Sequence, residues 1–353
     1  MIGIGVIGCG RIAARRHVPE YYKNPNVKII GYFDYNRSNA EAMAQKFGGI
    51  VYESLEKLLE NTEIQAVSVC VANSAHALVS MQAMEAGKHV LCEKPMAVTC
   101  KEAEDMLACA KKNNIFLMIA QNQRYNIGHI RAKELIEQGI IGRPLTFKTT
   151  FGHAGPERWC ADENGVIPKD IWFFDKKTAS MGAMADLGVH KIDLIQYLFS
   201  DKIIEVSAKM MTLDKKNSAG EFIELEDNAI CFLKLKSGIT GTLAVSWTYY
   251  GEEDNSTIIF GTKGIMRIYD NSEHTIHITT DRKDCIYYDL DKMMSNDNQK
   301  ESGVIDRFIE SIISGDWSEE ADENSVNVIR TIKASFEASR LDKTIKFGGG
   351  DAV

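Results

Sequence analysis

Asp186 and His190 stand four residues apart in the stretch Met184–Phe199, a spacing that puts both side chains on one helix face, one turn apart. A carboxylate near an imidazole raises its pKa and fixes its orientation. Such a pair suits a group that takes a proton from an alcohol and returns it in the reverse direction. The same face continues through Asp193 and Tyr197, while Met184, Leu187, Ile192, Ile195, Leu198 and Phe199 make an apolar stripe. A solvated polar face is the plainer reading. Against it stand the small, uncharged flank Ser180–Ala183 and Gly188, which leaves room beside His190 for another group. A metal site would be the rival use of the pair, but no third and fourth ligand follows at ligand-like spacing, so no metal is expected. Lys94 is the other candidate. It follows the apolar run His89–Cys92 within Glu93-Lys94-Pro95, the end of a parallel strand where open α/β sheets place their ligands. An ammonium there can polarise a carbonyl oxygen or hold an alcohol as its proton leaves; otherwise it is an exposed lysine closing a strand.

A second pattern lies at the start of the chain. Ile2–Ile7 is apolar and runs into Gly8-Cys9-Gly10-Arg11-Ile12-Ala13; a helix through about Tyr22 and a strand Val27–Phe33 follow, closed by Asp34. Gly8 permits a tight turn, Gly10 lets backbone approach a pyrophosphate, and Ala13 allows close helix packing. The phosphates would meet the unpaired N–H groups of the helix N-terminus. Asp34 comes 21 residues after Ala13, where a carboxylate accepts the ribose 2′-OH and repels a 2′-phosphate. The expected cofactor is NAD, with NADP less favoured. Arg37 is the one nearby cation that could offset Asp34, and it reads as a solvated loop residue.

These residues need a frame. Predicted helices over Asn39–Phe47, Ser54–Asn61, His76–Ala86 and Lys101–Lys112 alternate with strands Ala66–Ala72, His89–Cys92 and Ile115–Ala120. Repeated βα units in this order predict a doubly wound parallel Rossmann sheet over residues 1–121. Residues 122–353 are expected to form an α+β domain for substrate binding and oligomerisation. Its long strands, Val206–Met211, Asn228–Lys236, Thr240–Tyr249 and Ser256–Phe260, are joined by short turns and predict a large, mainly antiparallel sheet. In Thr240–Tyr249 the larger side chains alternate with Thr242, Ala244, Ser246 and Thr248. That small, mildly polar face suits twofold packing, so a homodimer or homotetramer is expected.

At 353 residues, 44% hydrophobic and 25% charged, the chain has ordinary globular composition and length for two domains. A net charge of −8 with scattered basic residues, the pairs Arg15-Arg16 and Lys215-Lys216 reading as solvated surface, argues against nucleic acid or an anionic membrane. Met1-Ile2 leads straight into a strand without a signal peptide, and no apolar run approaches a membrane span. The eight cysteines include no C-x-x-C pair and read as reduced thiols of a cytoplasmic protein.

The ordered set Gly8-x-Gly10-x-x-Ala13, Asn73-x-x-His76, Glu93-Lys94-Pro95, Gly139-x-x-Gly142, Asp186-x-x-x-His190, Gly261-Thr-Lys-Gly264 and the helix around Ala334–Arg340 resembles the glucose–fructose oxidoreductase/inositol dehydrogenase/rhizopine-catabolism (Gfo/Idh/MocA) family along nearly the whole chain. The resemblance implies an NAD-dependent dehydrogenase of a secondary alcohol in a sugar, glycoside, sugar nucleotide or cyclitol. It implies Lys94, Asp186 and His190 as the catalytic set, with His190 as acid–base. Gly8, Gly10, Arg11, Ile12, Asp34, Ala72, Asn73, His76, Glu93, Lys94 and Asn122 would bind cofactor, although Asn73 and His76 also suit a helix start. Lys94, Arg124, His153, Trp172, Asp186 and His190 would meet substrate. Arg124 has an interdomain salt bridge as its alternative, and His153 and Trp172 have core packing. Two other functions use much the same residues: an NAD-recycling, redox-assisted glycoside hydrolase or lyase, and a non-catalytic sugar or dinucleotide sensor.

Overall fold

The computed structural model describes residues 1–161, 165–292, 301–318 and 321–347. The chain divides into two compact units, Met1–Asn122 with Lys300–Val326 and Gln123–Gln299 with Asn327–Val353.

The first unit is built on β1 (Ile2–Ile7), β2 (Val27–Phe33), β3 (Ile50–Val51), β4 (Ala66–Val69), β5 (His89–Cys92) and β6 (Leu117–Ile119), in the order β3-β2-β1-β4-β5-β6. Every pairing is parallel. All four residues of β4 and three of four in β5 are buried, as continuous apolar strands covered on both faces must be. The strand order reverses between β1 and β4, the switch point at which such sheets bind ligands. Helices α1 (Val18–Lys23), α2 (Arg37–Phe47), α3 (Leu55–Glu60), α4 (His76–Glu85) and α5 (Cys100–Asn113) connect the strands. Ser54 caps α3, and Thr99 with Glu102 closes a capping box on α5, so side chains satisfy orphan N–H groups at both starts. The helix expected after the glycine turn opens as a turn of π-helix, Ala13–His17, before α1.

The second unit carries α6 (Ile127–Glu137), β7 (Pro144–Gly152), the short α7 (Glu157–Cys160) and α8 (Val189–Phe199). Strands β8 (Ile203–Met211), β9 (Asn228–Leu235), β10 (Thr240–Ser246), β11 (Thr257–Gly261), β12 (Gly264–Ile268), β13 (Ile276–Thr280), β14 (Cys285–Tyr288) and β15 (Ile345–Lys346) complete its sheet. The nine strands run β14-β13-β12-β11-β7-β10-β9-β8-β15. Only β7 and β10 pair in parallel; the rest are antiparallel. Leu233, Leu243, Val245 and Ile259 are buried on one face, whereas Ile230 and Phe232 of β9 and Thr242 of β10 are exposed on the other. That outer face is therefore more apolar than its β10 residues alone predict.

Helix α9 (Val304–Ser314) belongs to the first unit, where Phe308 stacks on Phe116 at 5.7 Å, and α10 (Glu323–Leu341) is the last helix among the described residues. Within the second unit, α8 has no solvated polar face. His190, Lys191 and Asp193 are buried along with its apolar residues. Two cations expected on the surface also turn inward. Arg16 is half-buried near the carboxylates of Glu93 and Glu20, and Lys215 is buried with Nζ on Glu157 Oε1 at 2.6 Å. Each lies by a carboxylate that compensates its burial.

Candidate active site

Gly8 adopts φ +86°, and a Cβ there would lie 2.6 Å from the carbonyl atoms of Cys70. Only glycine fits that conformation and that approach between the ends of β1 and β4. Gly10 is the opposite case, with open space where a Cβ would stand. Ala13 is fully buried, and Arg11 and Ile12 are half-buried at the turn's exit. Asp34 Oδ2 accepts the Cys9 N–H at 2.7 Å and Oδ1 accepts the Asn36 N–H at 2.7 Å. Burial, then the Asp34 charge, push the Cys9 thiol up to about 12, so it stays protonated. Arg37 is exposed at the head of α2 and pairs with Glu41 at 2.8 Å. An open backbone cradle followed by an acid fits the pyrophosphate and ribose of NAD.

Lys94 is half-buried directly after β5, and its peptide bond to Pro95 is cis. Its backbone N–H donates to Glu93 Oε2 at 3.1 Å, while Glu93 Oε1 meets His17 Nε2 at 2.9 Å. Burial pushes the Glu93 carboxyl up, but the His17 hydrogen bond and the charges of His17, Lys94 and Arg16 outweigh it and hold it at about 2. The network continues from His17 Nδ1 to Ser68 Oγ at 3.0 Å and on to Tyr21 OH at 2.8 Å. The Glu93 carboxylate thus anchors Lys94 from inside the fold. His76 is fully buried, with Nδ1 2.7 Å from the Pro95 carbonyl and Nε2 3.0 Å from the Val71 carbonyl. It braces two loop ends. Ala72 precedes the short 3₁₀ turn Asn73–Ala75, Asn73 is buried, and Asn122 is half-buried beyond β6.

Asp186 and His190 lie in the second unit. Met184–Gly188 forms a turn of π-helix that leads directly into α8. Asp186 is half-buried there, and its Oδ2 accepts the Trp247 indole N–H at 3.0 Å. His190 is 7% exposed, with the Phe151 ring at 6.0 Å. The room expected beside Gly188 is filled by Met184, whose Sδ would be 2.8 Å from a Cβ there. Asp193 is engaged by a cation. Arg124 donates Nε and Nη2 to its two oxygens at 2.7 and 2.5 Å, an ion pair within the second unit. His153 Nδ1 accepts the Gly155 N–H at 2.9 Å. Trp172 is 40% exposed, and its neighbours Phe173 and Phe174 lie 6.4 and 5.9 Å from the Trp247 ring. Positions 162–164 of that loop stretch lie outside the described residues.

Sequence reasoning passed over Trp247, Glu226, Lys191 and His17. Trp247 lies on the face of larger side chains in the alternating strand Thr240–Tyr249. Glu226, Lys191 and His17 carry no local signal of burial.

Residues 2–121 match the family model described as an oxidoreductase family with an NAD-binding Rossmann fold, and residues 129–267 match the GFO/IDH/MocA C-terminal domain. The chain belongs to the Gfo/Idh/MocA oxidoreductase family. Glucose-6-phosphate 3-dehydrogenase of Bacillus subtilis (strain 168) is 29% identical over 331 residues, covering 90% of each chain. Myo-inositol 2-dehydrogenase of Thermotoga maritima is 27% identical over 284 residues, covering 79% of this chain and 78% of its own. A levoglucosan dehydrogenase solved with NADH and levoglucosan shares the fold, with a TM-score of 0.81 at 23% identity over 98% of this chain and 99% of that one. The chain is thus a member of an NAD-binding oxidoreductase family, as its motifs imply, and its named relatives include dehydrogenases of CH–OH groups. Among the described residues no helix is long and apolar enough to cross a membrane.

Proposed function

We propose that this chain oxidises a secondary alcohol of a sugar, glycoside, sugar nucleotide or cyclitol, with Lys94, Asp186 and His190 as its catalytic set. The observation that carries the reading is the setting of His190, a buried imidazole one helical turn beyond a half-buried carboxylate that an indole holds in place. Relatives named for glucose 6-phosphate and for myo-inositol support a polyhydroxylated ring as substrate.

Bound NAD supplies the hydride acceptor. The residues of the chain manage the oxygen and its proton. Lys94 donates a hydrogen bond to the reacting oxygen and stabilises it as its proton leaves. His190, neutral, takes that proton and returns it in reduction. Asp186 orients the imidazole or binds a neighbouring hydroxyl. His153 and Trp172 would contact the sugar, the indole on its apolar ring face. Arg124 supports α8 through Asp193, three residues beyond His190.

An absorbance screen at 340 nm with NAD and D-glucose, glucose 6-phosphate, levoglucosan, myo-inositol and methyl β-D-glucoside tests the reading. NADH accumulation with one of them supports it. Product formation without net NADH would favour the cofactor-recycling alternative, and binding without either would favour the sensor.

A further inference from the structure

One dipeptide, Glu226-Asp227, holds both the indole that meets Asp186 and the start of the turn that carries it. Trp247 donates its indole N–H to Asp186 Oδ2 at 3.0 Å, and its backbone N–H donates to the Asp227 carbonyl at 2.8 Å. The preceding residue, Glu226, reaches the other end of the same structure. Its carbonyl accepts the Ala183 N–H at 2.9 Å and its buried Oε1 accepts the Met184 N–H at 3.0 Å. Those are the first groups of the π-helical turn that carries Asp186. Gly182 is small for this reason, since a Cβ there would stand 1.9 Å from the Glu226 carbonyl oxygen.

Asp227 is itself fixed. Its carboxylate accepts the N–H groups of Leu213, Asp214 and Lys215 at 2.8 to 2.9 Å and the Asn228 amide at 2.9 Å. The result is a closed ring: Glu226 to Met184, along the turn to Asp186, across to Trp247, and back to Asp227.

We infer that Trp247 and Glu226 are positioning residues for Asp186, the indole fixing one carboxylate oxygen and the Glu226 side chain fixing the start of the turn that presents it. The inference rests on the assignment of Asp186 to the catalytic set. Phe173 and Phe174 pack near the Trp247 ring, so the same indole also borders the segment that carries Trp172. A group that only seated this segment would change KM for substrate. A group that positions Asp186 changes kcat.

Two measurements on the full chain with NAD test this. In protein labelled with 15N-tryptophan, the four tryptophans give four indole signals, and Trp247→Phe identifies that of Trp247. Asp186→Ala should move that signal by removing its charged acceptor. An unmoved signal would overturn the inference whatever the activity. For kinetics, the member of the five-compound panel that reduces NAD fastest serves as probe. Trp247→Phe should lower kcat by about 10- to 100-fold and add little further loss in an Asp186→Ala background, a non-additive cycle. Additive losses, or a change in KM alone, would contradict it. Should Trp247→Phe not fold, Glu226→Leu takes its place in the cycle, and Glu226→Gln, which keeps the acceptor for Met184, should restore most of kcat. If Asp186→Ala turns over like the parent, the catalytic assignment fails instead, while the indole signal still reports the contact.

Discussion

Asp34 Oδ2 accepts the Cys9 N–H at 2.7 Å, so the acid that ends β2 is tied to the glycine turn that ends β1. The carboxylate that would meet the adenosine ribose therefore also shapes the turn beneath the pyrophosphate.

Asp34→Ala should for that reason weaken both cofactors, and NAD more than NADP. Loss of hydrogen bonds to a charged group costs about 1.5–3 kcal/mol, on the order of 10- to 100-fold in Kd for NAD. Removing the negative charge lightens the penalty on a 2′-phosphate, so the preference narrows. Nicotinamide fluorescence titrations with both cofactors check it. Tighter NADP binding by the parent chain would contradict the assignment and bring Arg37, now paired with Glu41, into play.

Arg124→Met should leave Asp193, a side chain only 2% exposed, without its main partner. Breaking a buried ion pair on one side costs about 3–5 kcal/mol, and a denaturant titration would read it as a lower midpoint. Arg124→Lys should recover only part of this, since an ammonium cannot reproduce the two parallel bonds. If Arg124→Met keeps its midpoint and raises only KM, the guanidinium serves substrate rather than α8.

Two buried groups give stability a defined pH dependence. Burial pushes Glu226 up to about 7, with Asp227 adding to the shift. Its contribution is full below the ordinary carboxyl range and is lost as pH rises through about 7. Burial pulls Lys191 down to about 7 against the opposing charges of Asp254 and Glu253, and its Nζ donates to the Asn255 carbonyl at 2.8 Å. Its contribution is full above the ordinary lysine range and is lost as pH falls toward about 7. Glu226→Gln should therefore gain stability relative to the parent between pH 5 and 8, by on the order of a few kcal/mol at most, and Lys191→Met should lose ground relative to it between pH 8 and 10. Melting curves across that range that run parallel for all three proteins would contradict both.

The outer face of the second unit's sheet exposes Ile230 at 57% and Phe232 at 47%, opposite Ala244 and Thr242 of β10. Exposed apolar residues in a row on a wide sheet are a means of self-association. Light scattering should find a dimer or tetramer at micromolar concentration, and Ile230→Asp with Phe232→Asp should shift it to a smaller species of unchanged circular dichroism. A parent chain that is monomeric under those conditions would contradict this.

The Rossmann half was legible because each of its signals is local. The run Ala66–Cys70 is apolar because both sheet faces are covered, and the turn Gly8–Ala13 needs its glycines whatever lies beyond. Thr99 and Glu102 announce α5 three residues apart. The second half was legible in four strands, β8 to β11, but not in β12 to β15 and not as an environment. Asp193 and His190 follow helical spacing on what resembles a solvated stripe, and packing from α6, β7 and Arg124 makes that stripe interior. Gly188 suggested space, yet Met184 of the same turn occupies it. Trp247 and Glu226 stand 61 and 40 residues from Asp186 in sequence, and no short-range pattern links them.

The most direct test of the account is turnover by His190→Ala on a substrate verified with the parent chain. Removal of a positioned acid–base group should lower kcat by about 10²- to 10⁴-fold, with NAD affinity kept because the turn at Gly8–Ala13 is untouched. A primary deuterium isotope effect on the transferred hydrogen should accompany the slow turnover. Normal turnover by His190→Ala would remove this imidazole from the chemistry and leave it as a packed core histidine.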